Sequence, residues 1–324
     1  MLDVAISQMT TMRWDLHREI DRVAAHGFSA LAVWRPKLSD AGPAVVAAAL
    51  AAAGLRASSV QWAGGFTSGD GRSFHESLAD AVEAVEAAAV LGGATSAAAP
   101  PVVVVHGGGR GGHTRTHATR LLLDALSALV RVARREGVTL ALEPLRAAAA
   151  PEAGVVSGLD DALDVVSAID DPAAGIALDL WQFGDDPGLP SRLPRLAAAA
   201  VLVKVADRRG PPSPGGDRLP AGRGTLPLER IAGNLVEHGY RGGFEFDPVG
   251  EDVEVSGYDG VLAETRLVAD AWVARSTASG TVLRADPPHD GRLAAAPPRP
   301  GHLRMPAGAG SRRSQASSQA VSRG

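Results

Sequence analysis

The sequence predicts an α/β protein, a single (β/α)8 TIM barrel with a disordered C-terminal tail. Short apolar segments of strand length alternate with longer segments of helical period, which is typical of a parallel sheet covered by helices. About eight such units fit into roughly 275 residues, the usual size of this barrel. A doubly wound open sheet would normally show a Gly-rich phosphate-binding turn after an early strand, and the sequence has none there.

The N-terminal half contains four pairs of strand and helix. Each predicted strand is an apolar run, and the first three helices end near Gly27, Gly54 and Gly92. The predicted strands are residues 3–7, 30–34, 57–61 and 102–106. The helices that follow them are predicted over residues 16–25, 44–53, 74–91 and 116–135. A glycine cluster at 107–112 lacks the register of a dinucleotide-binding turn and is predicted to form a mobile loop at the barrel mouth.

The C-terminal half repeats the pattern. Its predicted strands are residues 139–143, 175–179, 201–205 and 243–246. Helices are predicted over residues 159–169, 192–199, 226–238 and 258–275. The last helix is indicated by Val261, Thr265, Val268 and Trp272, which lie on one helical face.

The composition changes at about residue 276 to Pro, Gly, Ser, Ala and Arg, as in 297–300 and 311–314. Such a segment cannot bury a core. We therefore predict a barrel domain over 1–275 and a disordered tail over 276–324.

Composition excludes several classes of function. The chain has 0 Cys, which removes disulfides, thiolate zinc sites and cysteine nucleophiles. Its net charge of -4 argues against a nucleic-acid partner. There is no signal-peptide pattern and no apolar run of membrane-spanning length, so we expect a cytoplasmic protein with no membrane contact. Serine hydrolase, zinc protease and P-loop motifs are also missing.

Charged residues close four consecutive predicted strands of the C-terminal half. Glu143, Asp179 and Glu245 belong to the fifth, sixth and eighth strands, and Lys204 belongs to the seventh. In a parallel barrel the active site lies at the carboxyl ends of the strands, so these side chains should face one another. Buried carboxylates need a partner. With Gln182, the acids form a ring of oxygen donors suited to one cation.

Short motifs in the same region indicate a family. They are LEPL at 142–145, ALDLW at 177–181, VKVAD at 203–207, the turn at 217–224, and GYRGGFE at 239–245. In order and spacing the chain resembles the sugar phosphate isomerase/epimerase family of the xylose isomerase-like TIM barrel superfamily, which includes ketose 3-epimerases, inosose dehydratases and endonuclease IV. The resemblance covers residues 4–272.

The resemblance implies a sugar or polyol isomerase or epimerase acting on a small polyhydroxylated substrate. In such enzymes two glutamates, here Glu143 and Glu245, move a proton next to a carbonyl, and a divalent metal polarises the substrate oxygens. The family's metal ligands map to Glu143, Asp179, Lys204 and Glu245. Barrels of this group often pair, so the resemblance also implies a homo-oligomer.

The chain departs from the family at three positions. Lys204 stands where the family usually has His, Gln182 stands where many members have His, and Arg223 replaces a frequent acidic residue. A charged lysine has no lone pair and cannot ligate a metal. Either Lys204 replaces the cation, or Mn2+ or Mg2+ is held by Glu143, Asp179, Glu245 and Gln182 while Lys204, as a third catalytic residue, binds substrate.

Two further interpretations of Lys204 stay open. It could be a Schiff-base nucleophile, although acidic surroundings oppose the lowered pKa that this role requires. The loss of a ligand is also what a barrel without catalysis would show.

Five other residues are candidates for substrate binding. His106 ends the fourth strand, and Trp34 with Arg35 ends the second. Arg35, Arg208 and Arg223 could bind an anionic group, because the guanidinium fork matches phosphate and carboxylate. Each also has a purely structural interpretation. His106 could only hydrogen-bond a neighbouring strand end, Trp34 could only pack, and the arginines could be surface charges.

Two other functions are consistent with the sequence. A ketopolyol dehydratase or lyase begins with the same proton abstraction and then loses a hydroxyl group. A non-catalytic sugar-binding barrel would need only the pocket.

Overall fold

Eight parallel strands form a closed barrel in chain order, with β8 paired to β1. The structure is a computed structural model that describes residues 4–93, 101–150 and 154–278. The predicted fold class is confirmed. The strands are β1 Val4–Ser7, β2 Ala30–Trp34, β3 Arg56–Gly64, β4 Val102–His106, β5 Thr139–Leu142, β6 Ala174–Asp179, β7 Ala200–Val205 and β8 Gly243–Phe246.

Helices cover the outside of the barrel. Those that the sequence predicted are α1 Leu16–Ala25, α3 Pro43–Ala52, α4 Phe74–Gly93, α5 Arg115–Glu136, α6 Leu159–Ile169, α8 Leu189–Ala199, α9 Leu228–Glu237 and α11 Tyr258–Ala278. Three short helices were not predicted: α2 Arg35–Ala41, α7 Leu180–Phe183 and α10 Glu251–Ser256.

Local signals account for the three short helices. Pro36 lies in the first turn of α2, where its missing N–H costs nothing. The side chain of Asp179 caps α7 by accepting from the Trp181 backbone N–H at 2.9 Å. The first turn of α10 is acidic, which suits the positive end of the helix dipole. All three are too short to show a clear helical period in the sequence.

The core has two parts. A continuous apolar layer lies between the strands and the surrounding helices. Inside the barrel a second, smaller cluster consists of Val104, Ala141, Ala177 and Leu202, one residue from each of β4 to β7. Side chains of a strand alternate between its two faces, so the next inward-facing position lies two residues further along each strand. Those positions carry the polar residues described below.

The predicted domain boundary falls inside α11, which continues to Ala278. The predicted disordered tail otherwise lies outside the described residues, and its prediction stays untested. No helix within the described ranges has the length and apolar character needed to cross a membrane.

Candidate active site at the barrel mouth

A polar layer follows the apolar layer inside the barrel. Two residues beyond Val104, Ala141, Ala177 and Leu202 the chain has, respectively, His106, Glu143, Asp179 and Lys204. The strand register places Asp179 beside Lys204 and Lys204 beside Glu245. Alternation along parallel strands therefore brings the charged residues to one level at the carboxyl ends.

A cavity of about 340 Å³ opens at this level. Five of the residues predicted from the sequence line it: His106, Glu143, Asp179, Gln182 and Lys204. Polar groups converge there with the rings of Trp62 and Trp181. A cavity with apolar walls and a few convergent polar groups is the usual form of a small-molecule site.

Lys204 forms an ion pair with Glu143 at the floor of the cavity. Its Nζ donates to Glu143 Oε1 at 3.0 Å, and both side chains are almost fully buried. The Nζ also lies 3.4 Å from Asp247 Oδ2 and 5.3 Å from the centre of the Trp62 ring. Trp62 Nε1 donates to the other Glu143 oxygen at 2.9 Å. Burial opposes the charge of Lys204, but the carboxylates outweigh it and raise the pKa of Lys204.

Arg218 brings a second cation into the same cluster. Its Nη1 and Nη2 donate to the two oxygens of Asp179, each at 3.0 Å, and Nη2 also donates to Asp247 Oδ1 at 2.6 Å. The guanidinium carbon lies 5.0 Å from the centre of the Trp181 ring. Burial would raise the pKa of Asp179, but the Arg218 guanidinium outweighs burial and holds that pKa below its usual value.

The loop between β7 and α9 delivers Arg218 to the mouth. Asp207 and Leu219 pair through two backbone hydrogen bonds of 2.8 Å, and Arg218 pairs with Val249 in the same way. Arg218 Nε also donates to the backbone oxygen of Asp247 at 3.2 Å. The loop is thus fixed to both the seventh and the eighth strand ends.

Glu245 is fully buried and does not belong to the cavity wall. Oε2 accepts from Ser59 Oγ at 2.6 Å and from Ser58 Oγ at 3.3 Å, and Oε1 accepts from Gln61 Nε2. Burial raises the pKa of Glu245 to about 7, while Lys204 and the Ser59 hydroxyl lower it. The predicted second catalytic glutamate therefore points into the barrel interior, away from the cavity.

His106 is half-buried on the cavity wall, and its Nδ1 has no hydrogen-bond partner. Burial lowers the pKa of His106, so its ring is neutral at pH 7. It also lines a second cavity of about 560 Å³, whose wall includes the glycine loop Gly108 to Gly112. The two cavities share His106, Leu145, Ala149 and Ala150.

The other predicted substrate contacts lie outside the inner cavity. Trp34 is absent from its wall. Arg35 forms a two-pronged pair with Asp80 at 2.7 and 2.8 Å. Arg208 is buried against Asp185 at 2.6 Å.

Arg223 is likewise paired away from the cavity, with Asp252 at 2.6 Å and with Glu264. Each of the three predicted anion-binding arginines thus already has a carboxylate partner in the protein.

Arg218 is the residue of the site that sequence reasoning missed. In the sequence it lies in the turn 217–224 together with Arg223, which the family resemblance singles out as a departure. Nothing in its spacing indicates that the loop returns it to Asp179, because that path depends on the bridge to Val249. Asp247 directly follows β8, whereas Trp62 follows the predicted third strand and lies within β3; these positions next to predicted strand ends were the available signal.

The residues predicted to hold a metal do not fit a divalent cation. Glu143 is bonded by Lys204 and Trp62, and both oxygens of Asp179 are held by Arg218. A metal ion at oxygen-ligand distance of roughly 2.0–2.6 Å would have to displace these donors.

The side-chain oxygens of Gln182 and Glu245 also accept hydrogen bonds within the protein. The Gln182 amide nitrogen donates to Asp179 at 3.1 Å, and its oxygen accepts from the Arg146 N–H at 2.7 Å. Glu245 is bonded by three side-chain donors. Within the described ranges, no group of three or more His, Asp and Glu side chains is arranged to hold a metal ion.

Comparison with known families gives one match over most of the barrel. A family model described as xylose isomerase-like TIM barrel matches residues 20–260. Comparison with curated proteins gives no significant match.

Three solved structures illustrate the structural likeness. Protein SMc04130 from Sinorhizobium meliloti 1021 is 25% identical, with a TM-score of 0.71 over 83% of this chain and 98% of that one. The IOLI protein, solved with a zinc atom, is 16% identical, with a TM-score of 0.71 over 85% and 99%. A D-psicose 3-epimerase from Clostridium cellulolyticum H10, solved with D-tagatose, is 13% identical, with a TM-score of 0.68 over 84% and 99%.

Proposed function

The chain belongs to the xylose isomerase-like TIM barrel family, and from that premise we propose that it is an isomerase or epimerase of a small, uncharged, polyhydroxylated keto compound. The observation that carries the proposal is the contact of Glu143 with Lys204 in the wall of the cavity. It offers a carboxylate that can take a proton beside a cation that can stabilise a developing oxyanion. The fold of the D-psicose 3-epimerase supports the substrate class by analogy.

The reaction that this pair supports is proton transfer at the carbon next to a carbonyl. Glu143 removes the proton, and the electron pair of the broken C–H bond moves into an enediolate whose oxygen faces Lys204 and Arg218. Return of a proton to the opposite face of the same carbon gives an epimer. Return to the neighbouring carbon, with transfer of the hydroxyl proton, gives the isomeric aldose or ketose.

A second acid or base is needed on the other face of the substrate. The resemblance assigns this role to Glu245, which lies outside the cavity wall. We place His106 in the role instead, because it lines the cavity and has a neutral ring that can accept or give a proton.

The charge of the cavity favours an uncharged substrate. Glu143, Asp179 and Asp247 carry three negative charges against the two positive charges of Lys204 and Arg218. A sugar phosphate would meet a net negative site, and like charge opposes its entry. Arg35, Arg208 and Arg223, the residues predicted to bind an anion, are bonded to carboxylates elsewhere.

The test is solvent exchange in D2O with a panel of unphosphorylated ketohexoses and ketopolyols, followed by NMR. We expect deuterium to enter at the carbon next to the carbonyl. Glu143→Gln should reduce the rate by about 10²- to 10⁴-fold, the usual contribution of one acid or base. Glu83→Gln, on the exposed face of α4, is the matched control and should exchange like the native protein. An unchanged rate in Glu143→Gln would contradict the proposal.

The same panel separates the alternatives. A product lighter by one water would identify a ketopolyol dehydratase. A rise in melting temperature with a sugar, without exchange or conversion of any substrate, would identify a sugar-binding barrel.

A further inference from the structure

We propose that the guanidinium of Arg218 and the ammonium of Lys204 together replace the divalent cation in this barrel. The carboxylates that they pair with would bind a metal ion if the two cations were removed. The proposal concerns the origin of the positive charge and not the identity of the substrate. It therefore goes beyond the proposed function, and metal binding tests it without any turnover.

Carboxylates from three separate strand ends converge at the cavity. Glu143, Asp179 and Asp247 follow or end β5, β6 and β8, and all three are more than nine-tenths buried. Three buried carboxylates this close together repel one another unless positive charge lies between them. Lys204 contacts Glu143 and Asp247, and Arg218 contacts Asp179 and Asp247, so each acid has a cation.

The guanidinium fork of Arg218 binds two acids at once. It reaches both oxygens of Asp179 and one oxygen of Asp247. A guanidinium matches a carboxylate in this two-pronged way, and lysine could not. It also faces the cavity, where a metal would meet the substrate oxygens.

Several contacts hold Arg218 in place. Its backbone is bridged to Val249, its Nε is bonded to the Asp247 carbonyl, and its guanidinium lies over Trp181. A side chain held by its own backbone, a neighbouring strand end and a ring does not easily give way to an ion.

Lys204 completes the arrangement from the strand side. Burial opposes its charge and that of Arg218, but the surrounding carboxylates outweigh burial and raise the pKa of both groups. Both side chains therefore remain cations at neutral pH. Positive charge at the site needs no ion from solution.

The experiment measures metal content by elemental analysis of the full chain, purified without chelator or affinity-tag metal and then dialysed against Mn2+ or Zn2+. The native protein should contain far less than one equivalent. The double variant Arg218→Ala with Lys204→His should gain near one equivalent, and its melting temperature should rise when the metal is added. Addition of Asp179→Asn to that variant should abolish the gain.

Arg223→Ala is the matched control, because Arg223 is also paired with two acids but lies outside the cavity. It should gain no metal. Two results would overturn the proposal. One is near-stoichiometric metal in the native protein that is lost in the Asp179→Asn variant. The other is a double variant that folds but binds no metal. Circular dichroism checks the folding. If the double variant unfolds, the single variant Arg218→Ala is used in its place. Metal bound by that variant supports the proposal, and a folded variant without metal contradicts it.

Discussion

Glu245 and Asp179 occupy the same level of the barrel, yet their surroundings move their pKa values in opposite directions. Burial affects both, but only Asp179 is bonded to a guanidinium, so its pKa falls. Glu245 is bonded mainly by neutral hydroxyl and amide groups, and its pKa rises to about 7. Glu245 thus titrates in the neutral range inside the barrel.

The raised pKa of Glu245 predicts a pH-dependent cost to stability. The folded protein binds this proton more tightly than the unfolded chain, in which the pKa of the Glu245 carboxyl is 4.5. The contribution of Glu245 to the free energy of unfolding therefore falls as the pH rises from about 4.5 to about 7, by roughly 3 kcal/mol at most, and is constant above that. Urea unfolding of the native protein and of Glu245→Gln at several pH values measures the difference. If the difference between the two free energies does not change over this range, Glu245 does not titrate as proposed.

The strand ends and the loops differ in how far the sequence predicts them. His106, Glu143, Asp179 and Lys204 were found because a short apolar strand fixes where its last inward side chain lies. Arg218 could not be found in this way, because its place depends on backbone pairing with Val249, 31 residues further along the chain. Strand-end residues are not always predictable either. The height of Glu245 along the barrel was predicted, but its hydrogen bonds from the hydroxyl groups of Ser58 and Ser59, which hold it away from the cavity, were not.

The loop between β7 and α9 depends on one buried carboxylate. Asp207 accepts from the backbone N–H groups of Arg208 at 2.8 Å, Gly222 at 3.0 Å and Leu226 at 3.0 Å. Gly224 is needed beside it, because a Cβ there would lie 2.2 Å from Asp207 Oδ1. The side chain of Asp207 therefore ties together the loop that carries Arg218.

Removal of that carboxylate should destabilise the protein and release the loop. Asp207→Ala leaves three backbone donors without their acceptor, and we expect a loss of about 2–4 kcal/mol in the free energy of unfolding. Asp207→Asn keeps an acceptor oxygen and should lose less. Chemical unfolding of the two variants gives the comparison. Equal losses would mean that the side chain acts by its charge and not by these hydrogen bonds.

The closed barrel joins the first and last strands of the chain, and α11 packs over the final strand of this closure. Trp272 contacts Phe244 and Phe246 of β8 with ring centres 6.4 and 5.5 Å apart. β8 in turn pairs with β1 through Val4, Ala5 and Ile6. Packing of α11 against β8 therefore supports the level at which the active-site residues lie.

Trp272→Ala should destabilise the whole barrel. The loss of a large buried ring costs about 3–5 kcal/mol. We expect the melting temperature to fall while solvent exchange per folded molecule is retained below the transition. Thermal unfolding followed by circular dichroism, with the exposed Leu267→Ala as control, measures the effect. A fall of similar size in the control would show that the loss does not come from the rings of β8.

The attachment of Arg218 to a backbone-paired loop also determines when the site acquires its positive charge. A barrel that recruits an ion passes through a stage in which it is folded but its central carboxylates lack their cation, and it waits for loading from solution. In this chain the pairing of Arg218 with Val249 and the arrival of the guanidinium between Asp179 and Asp247 are one event. Maturation of the site therefore ends with folding, and its charge cannot be withdrawn by scarcity of metal in the surroundings.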